Sequence, residues 1–358
     1  MRIGVILPAL AMLAACEPAG APPPRLVSQS DWQPADDKPI LPAGSLREQA
    51  LWNDPSVVRT QDGYVMYMTT STQAPFEPPI LPFRAVSADG AKWRLDPARA
   101  LLSPDGGPYA SIETPSVVRF NGLWHMFFTG IYPDPDPSPM AIGHAVSSDG
   151  IAWRIREWKL FGAAGDGWQS YLVGEPGAVV HGDRLIVYFS AVGAREGGGP
   201  PLQSIGLSSS TDGRNFSSVE RAFGQGAAYP VEQGFAGYSS PAAVSWGGDV
   251  HLFYSVVHWQ SGGDPEWKQV AIHHARSRTG TSGFEEDGAP IISTADSSWT
   301  SGEVLAPAPL IEDGQVKVWF GGHVANSELA PLIRRNISGP EFGIGLVTAP
   351  VSVLGGQQ

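Results

Sequence analysis

Three acidic residues stand within two positions of a proline at nearly constant spacing. Asp54 precedes Pro55, Glu175 precedes Pro176, and Glu113 lies two residues before Pro115. Carboxyl groups gathered in one place can divide labour. One that stays protonated gives a proton to a leaving oxygen, and one that is ionised activates water or attacks carbon. Crowding serves that division, because burial and neighbouring like charge both raise carboxyl pKa values. Acids so far apart in the chain can act together only if the fold brings them to one point.

A repeat supplies the means. Proline-anchored steps recur at Asp54-Pro55, Thr114-Pro115, Glu175-Pro176, Ser240-Pro241 and Ala306-Pro307. After each proline comes a small apolar run, then a turn such as "QDG", "NG" or "GGD", then a strand such as "YVMYMT", "LWHMFFT" or "RLIVYFS". Two such runs about an Asn/Asp-Gly turn form a β-hairpin signal. A third strand follows, and in the first three units it ends in Ser-x-Asp-Gly, at Ser87, Ser147 and Ser210. Asp there bonds backbone amides and Gly takes the positive φ, so this element is a structural turn. It resembles the Asp-box turn of sialidase-type propellers. A fourth strand closes each unit.

Five units of four strands predict an all-β chain folded as a five-bladed β-propeller of four-stranded antiparallel blades. Blade starts are expected near residues 51, 111, 172, 237 and 303. The fifth unit is short of one strand. The segment "WQPADDKPILPAG", residues 32–44, resembles the fourth strands and is expected to complete blade five and close the ring. Residues starting an innermost strand line the axis of such a ring, which is where the acids fall.

Composition agrees. The 358 residues include 43 Gly and 33 Pro, too many breakers for long helices. The net charge of −12 and the lack of a Lys/Arg run exclude a nucleic-acid partner. The opening "MRIGVILPALAMLAAC" has one Arg and an apolar run too short to span a bilayer. It resembles a bacterial lipoprotein signal. That resemblance implies cleavage of residues 1–15 and lipid on Cys16. Glu17 in place of Asp implies an outer-membrane location in the cell envelope. Residues 16–31 read as a Pro/Ala-rich tether and residues 32–358 as the propeller. The lipid is the only membrane contact expected, and a monomer the expected state. Cys16 is the sole cysteine, which leaves the propeller without a disulfide or a catalytic thiol.

Trp52-Asn53-Asp54-Pro55 followed by five such units resembles glycoside hydrolase families 43 and 32, over about residues 45–350. The resemblance implies a carbohydrate substrate. It makes Asp54 the base or nucleophile and Glu175, in "VGEPG", the proton donor. Glu113 would tune pKa or hold a sugar hydroxyl. Trp52, Asn53, Tyr238, Glu303 and His323 would contact substrate. His323, in "FGGH", resembles the axial calcium-site histidine of family 43, which admits calcium. No spaced His/Asp/Glu set reads as a catalytic metal site, so no cofactor is expected. Blade four departs from the family pattern: "GYSSPAAV" has no carboxylate where relatives carry one. Two functions therefore stand: a lipid-anchored glycoside hydrolase, and a propeller that binds a glycan or an envelope partner without cleaving it.

Overall fold

The computed structural model describes residues 26–47, 50–71, 79–133, 139–195, 198–224, 226, 228–260, 266–324 and 339–355. The signal segment, Cys16 and most of the expected tether lie outside them. Two short strands, β1 (Gln33–Pro34) and β2 (Leu41–Ala43), precede the first blade. Blade one is β3 (Asn53–Thr60), β4 (Gly63–Ser71), β5 (Ile80–Ser87) and β6 (Arg94–Leu95). Blade two is β7 (Ser111–Phe120), β8 (Leu123–Ile131), β9 (Met140–Ser147) and β10 (Arg154–Gly162). Blade three is β11 (Leu172–His181), β12 (Arg184–Gly193), β13 (Leu202–Ser210) and β14 (Glu220–Phe223). Blade four is β15 (Phe235–Trp246), β16 (Asp249–Gln260), β17 (Glu266–Ser277), and an outer edge made by β18 (Glu285–Glu286) and β19 (Ile292–Ser293). Blade five is β20 (Glu303–Glu312), β21 (Gln315–His323) and β22 (Gly339–Pro350).

Neighbouring strands within each blade are antiparallel, and one parallel bridge, Gln203 to Gly237, joins blades three and four. The innermost strands β3, β7, β11, β15 and β20 touch in that order, and β20 touches β3 again. The ring is therefore closed. Among the described residues the only helical turns are 3-10 segments at Val231–Gln233 and Val351–Leu354. The hairpins follow from their turn residues. Asn121-Gly122, Gly247-Gly248 and Asp313-Gly314 all take positive φ at both positions, the conformation that matches strand twist.

The Ser-x-Asp-Gly turns hold the blades together. In the first, the amides of Ala91 and Lys92 donate to Asp89 and that of Gly90 to Ser87 Oγ. The turns at Asp149 and Asp212 repeat this. Each turn docks on the second strand of the preceding blade. Trp319 Nε1 of blade five donates to the Gly90 carbonyl, and Tyr67 of blade one to that of Gly150. Blade four has the same turn with Thr279 replacing Asp: the Gly280 amide donates to Ser277 Oγ, and Tyr188 of blade three donates to the Gly280 carbonyl. Blades two and four also bury a pair of stacked histidines each, His125 with His144 and His251 with His274, both 3.0 Å apart. Burial pushes His144 down to about 3 and His251 to about 4, so these two stay neutral and serve packing.

The N-terminal segment completes blade five. Leu41 pairs with Ile344 and Gln33 with Thr348, both on β22, which places strands of this segment outside it as the likeness to the fourth strands predicts. Trp32, 4% exposed, wedges between blades four and five and meets Phe253 edge-on at 6.2 Å. Contact with the propeller begins before residue 32. The Leu26 carbonyl accepts from Ser293, Ser28 donates to Asp296, and the Gln29 amide donates to the Pro290 carbonyl. The end of the segment read as tether thus lies along blade four.

Candidate active site

Every innermost strand is broken at the same point. Asp54, Thr114, Glu175, Ser240 and Ala306 each have φ between 48° and 52° and each precedes a proline. A side chain in the left-handed region costs roughly 1–2 kcal/mol, and a following proline restricts the residue further. The register of the first two strands shifts at each of these positions, the mark of a β-bulge. The bulges turn the five residues and their prolines into the wall of an axial cavity of about 90 Å3. Strain repeated at one end of one axis is a sign of a site. On blades one and three the residue so presented is a carboxylate.

Hydroxyl groups of the second strands tie each bulge to the next. Thr69 hydrogen-bonds the Asp54 carboxyl group and accepts the amide of Thr114 at 2.9 Å. Thr129 contacts the Thr114 hydroxyl and accepts the amide of Glu175 at 2.8 Å. Ser190 donates to Glu175 Oε2 at 2.6 Å and accepts the amide of Ser240 at 2.7 Å. The relay ends in blade four. Ser240 Oγ turns instead to Gln269, and Ser255, at the position matching Ser190, has no hydrogen-bond partner among the described residues.

The three acids form one electrostatic cluster. Asp54 is half-buried and its carboxyl is pushed up to about 7, first by burial, then by the charge of Glu175, with the Thr69 hydrogen bond opposing. Burial pushes Glu113 up to about 8, and the charge of Asp54 adds to it. Glu113 is outside the cavity wall, one residue behind Thr114, so it acts on Asp54 from the side. No Lys or Arg lines the cavity. Glu175 is held differently: Ser190, Ser239 and the Ser240 amide all donate to its Oε2. All three donors meet the same oxygen, and among the described residues none meets Oε1.

The other expected contacts divide. Trp52 is fully buried and packs edge-on against Phe83, with the Arg47 guanidinium over its ring. Tyr238 is fully buried and donates to Glu286 in a cluster with Tyr229 and Tyr254. Neither faces the cavity, so neither can stack on a ligand there. Asn53 packs against Gly321 of blade five and is not in the wall. Glu303 is the cross-strand partner of His323 and the two side chains bond at 3.0 Å. Glu303 also accepts the amide of Gln269, which reaches Ser240 and so the cavity. Burial alone would lower His323, but Glu303 beside it leaves it raised. Its Nδ1 lies 2.9 Å from the Val324 carbonyl. With both ring nitrogens facing oxygen acceptors, His323 fits an imidazolium and not a calcium site, and no described group of three His, Cys, Asp or Glu is placed to hold a metal.

Sequence reasoning missed Thr69, Thr129, Ser190, Ser239 and Gln269. A signal for three of them was present: "YVMYMT", "LWHMFFT" and "RLIVYFS" end in a hydroxyl residue at the same repeat position.

No protein-family model and no curated protein matches the chain. Solved structures do. A thermostable family-43 glycoside hydrolase superposes with a TM-score of 0.59 at 13% identity, covering 86% of this chain and 90% of that one. A family 117 glycoside hydrolase from the marine bacterium Zobellia galactanivorans gives 0.60 at 14% identity, covering 91% and 92%. A β-1,2-mannobiose phosphorylase from Listeria innocua, solved with β-1,2-mannobiose, gives 0.60 at 12% identity, covering 90% and 98%. The chain shares the five-bladed β-propeller fold of these carbohydrate-active enzymes.

Proposed function

We propose that the axial cavity is the active site of a hydrolase that cleaves glycosidic bonds in an oligo- or polysaccharide. One observation carries this reading: three charge-coupled carboxyl groups converge at the axis, two of them on strained left-handed bulges in the cavity wall. Glycoside cleavage requires a protonated and an ionised carboxyl group on either side of the scissile bond. The cluster supplies both at neutral pH. A wall whose only charged groups are two carboxyls favours a neutral sugar over an anionic one. The lipoprotein-like leader supports an enzyme held at the cell envelope through Cys16, with the propeller acting on glycans there. Cys16→Ser is then expected to release the protein from membranes or leave it unprocessed.

Binding without cleavage is the second reading. It draws on the uncharged bulge residues of blades four and five, Ser240 and Ala306. A panel of aryl glycosides and of plant and bacterial polysaccharides separates the two. The expected outcome is release of reducing sugar from at least one substrate. Saturable binding across the panel with no product would support the second reading.

A further inference from the structure

The three carboxyl groups differ sharply in the donors aimed at them. Glu175 Oε2 receives three: the hydroxyls of Ser190 at 2.6 Å and Ser239 at 2.5 Å, and the Ser240 amide at 3.0 Å. Asp54 receives one, from Thr69. Among the described residues Glu113 has no side-chain hydrogen-bond partner; burial and the Asp54 charge are what act on it. A carboxylate that accepts several hydrogen bonds is stabilised in its ionised form, and one left without donors in a dry wall is not. We infer that Asp54, with Glu113 behind it, carries the proton delivered to the leaving oxygen, and that Glu175 is the ionised partner. This rests on the hydrolase reading and reverses the roles that the family resemblance implies.

The surroundings agree from every side. Blade one offers Asp54 only the Thr69 hydroxyl, which already accepts the Thr114 amide. Blade two adds Glu113, and blade three adds the charge of Glu175. Blades four and five contribute Ser240, Ala306 and prolines, with no charge. Burial together with the Glu175 charge is what holds the Asp54 carboxyl up at about 7. The step then balances. Asp54 gives its proton to the glycosidic oxygen as the bond to the anomeric carbon breaks and its electron pair passes to that oxygen. Water attacks the anomeric carbon and gives a proton to Glu175 Oε1, the oxygen that the serines leave open. Asp54 ends ionised and Glu175 protonated, and exchange of one proton through solvent resets the pair. Ser190 and Ser239 are positioning residues, because they act through Glu175.

Carboxyl carbon-13 NMR of the labelled protein tests this without requiring turnover. Two carboxyl signals titrating near neutral pH, those of Asp54 and Glu113, are expected in the wild type; the Asp54 signal should be lost in Asp54→Asn and move to lower pH in Glu175→Gln. Should both neutral-range signals survive Asp54→Asn and one of them vanish in Glu175→Gln, the assignment is overturned. The wild-type spectrum alone decides as well: with no carboxyl titrating above about pH 6, far from the ordinary carboxylate range, the inference fails even if a variant does not fold. For the clamp, Ser239→Ala should move the pH profile of cleavage and Ser239→Thr should restore it; an unmoved profile would rule out a positioning role. A neutral Asp54 in a chain that cleaves nothing overturns the hydrolase reading and the donor role with it, while the protonation pattern itself stands.

Discussion

Asp54→Asn is expected to abolish glycoside cleavage and raise the melting temperature together. A positioned acid or base contributes about 10²–10⁴-fold to rate, so the loss should fall at least in that range. The gain in stability follows from linkage. The Asp54 carboxyl is raised to about 7 in the folded chain, well above its unfolded value of 3.8. Between those values the folded chain binds more protons than the unfolded one, so stability falls as pH rises through that window. An amide removes the penalty. The gain should be near zero below about pH 4, roughly 1–2 kcal/mol at pH 5 and roughly 3–4 kcal/mol at pH 8. Activity assays and thermal melts at both pH values check the pair of effects. Full activity in the variant, or a melting temperature that drops more at pH 8 than at pH 5, would count against the site. Glu175→Gln should lose activity on a similar scale for another reason. It removes the charge that helps keep the proton on Asp54, and it puts an amide where three donors expect an ionised oxygen.

The second large effect is on stability. Trp32→Ala should cost about 3–5 kcal/mol, the usual range for truncating a buried tryptophan. Trp32 fills the joint between blades four and five, where Phe253, Ile292, Trp299 and Phe320 also meet. Removing residues 26–43 altogether should do more. Leu41 and Ala43 would leave the core, and β22 would lose its outer partners β1 and β2. An open propeller edge invites pairing with other chains, so loss of the segment should bring aggregation as well as a lower melting temperature. Calorimetry and light scattering on both variants would show this. A truncated chain that melts like the wild type and stays monodisperse would mean that the segment is dispensable.

Much of the fold was legible because each blade repeats the same instructions. A hairpin with Asn-Gly or Asp-Gly, a Ser-x-Asp-Gly turn and a proline at the strand start each act within a few residues, so local chemistry exposes them. The missing outer strand was legible for the same reason, since "DDKPILP" reads like its counterparts. The positions of Asp54 and Glu175 followed from the proline register. Their neighbours did not. Trp52 and Tyr238 stand at strand starts, within two residues of Asp54 and Ser240, which is why both looked like ligand contacts. The bulge between Asn53 and Ser56, and that between Ser239 and Ala242, breaks the alternation and sends both rings into the core. Pairing across strands hid the fate of Glu303, because its partner His323 lies twenty residues on. The Glu175 clamp was hidden in the same way: Ser190 and Ser239 come from different blades and meet only when blades three and four pack together.

The most direct test of the axial site is a crystal structure of Asp54→Asn with an oligosaccharide that the wild type cleaves. The expected result is a sugar ring seated in the axial cavity, with the glycosidic oxygen within hydrogen-bond distance of residue 54 and Glu175 Oε1 facing the anomeric carbon across a water molecule. A sugar bound on the outer face of a blade, with nothing in the axial cavity, would contradict it.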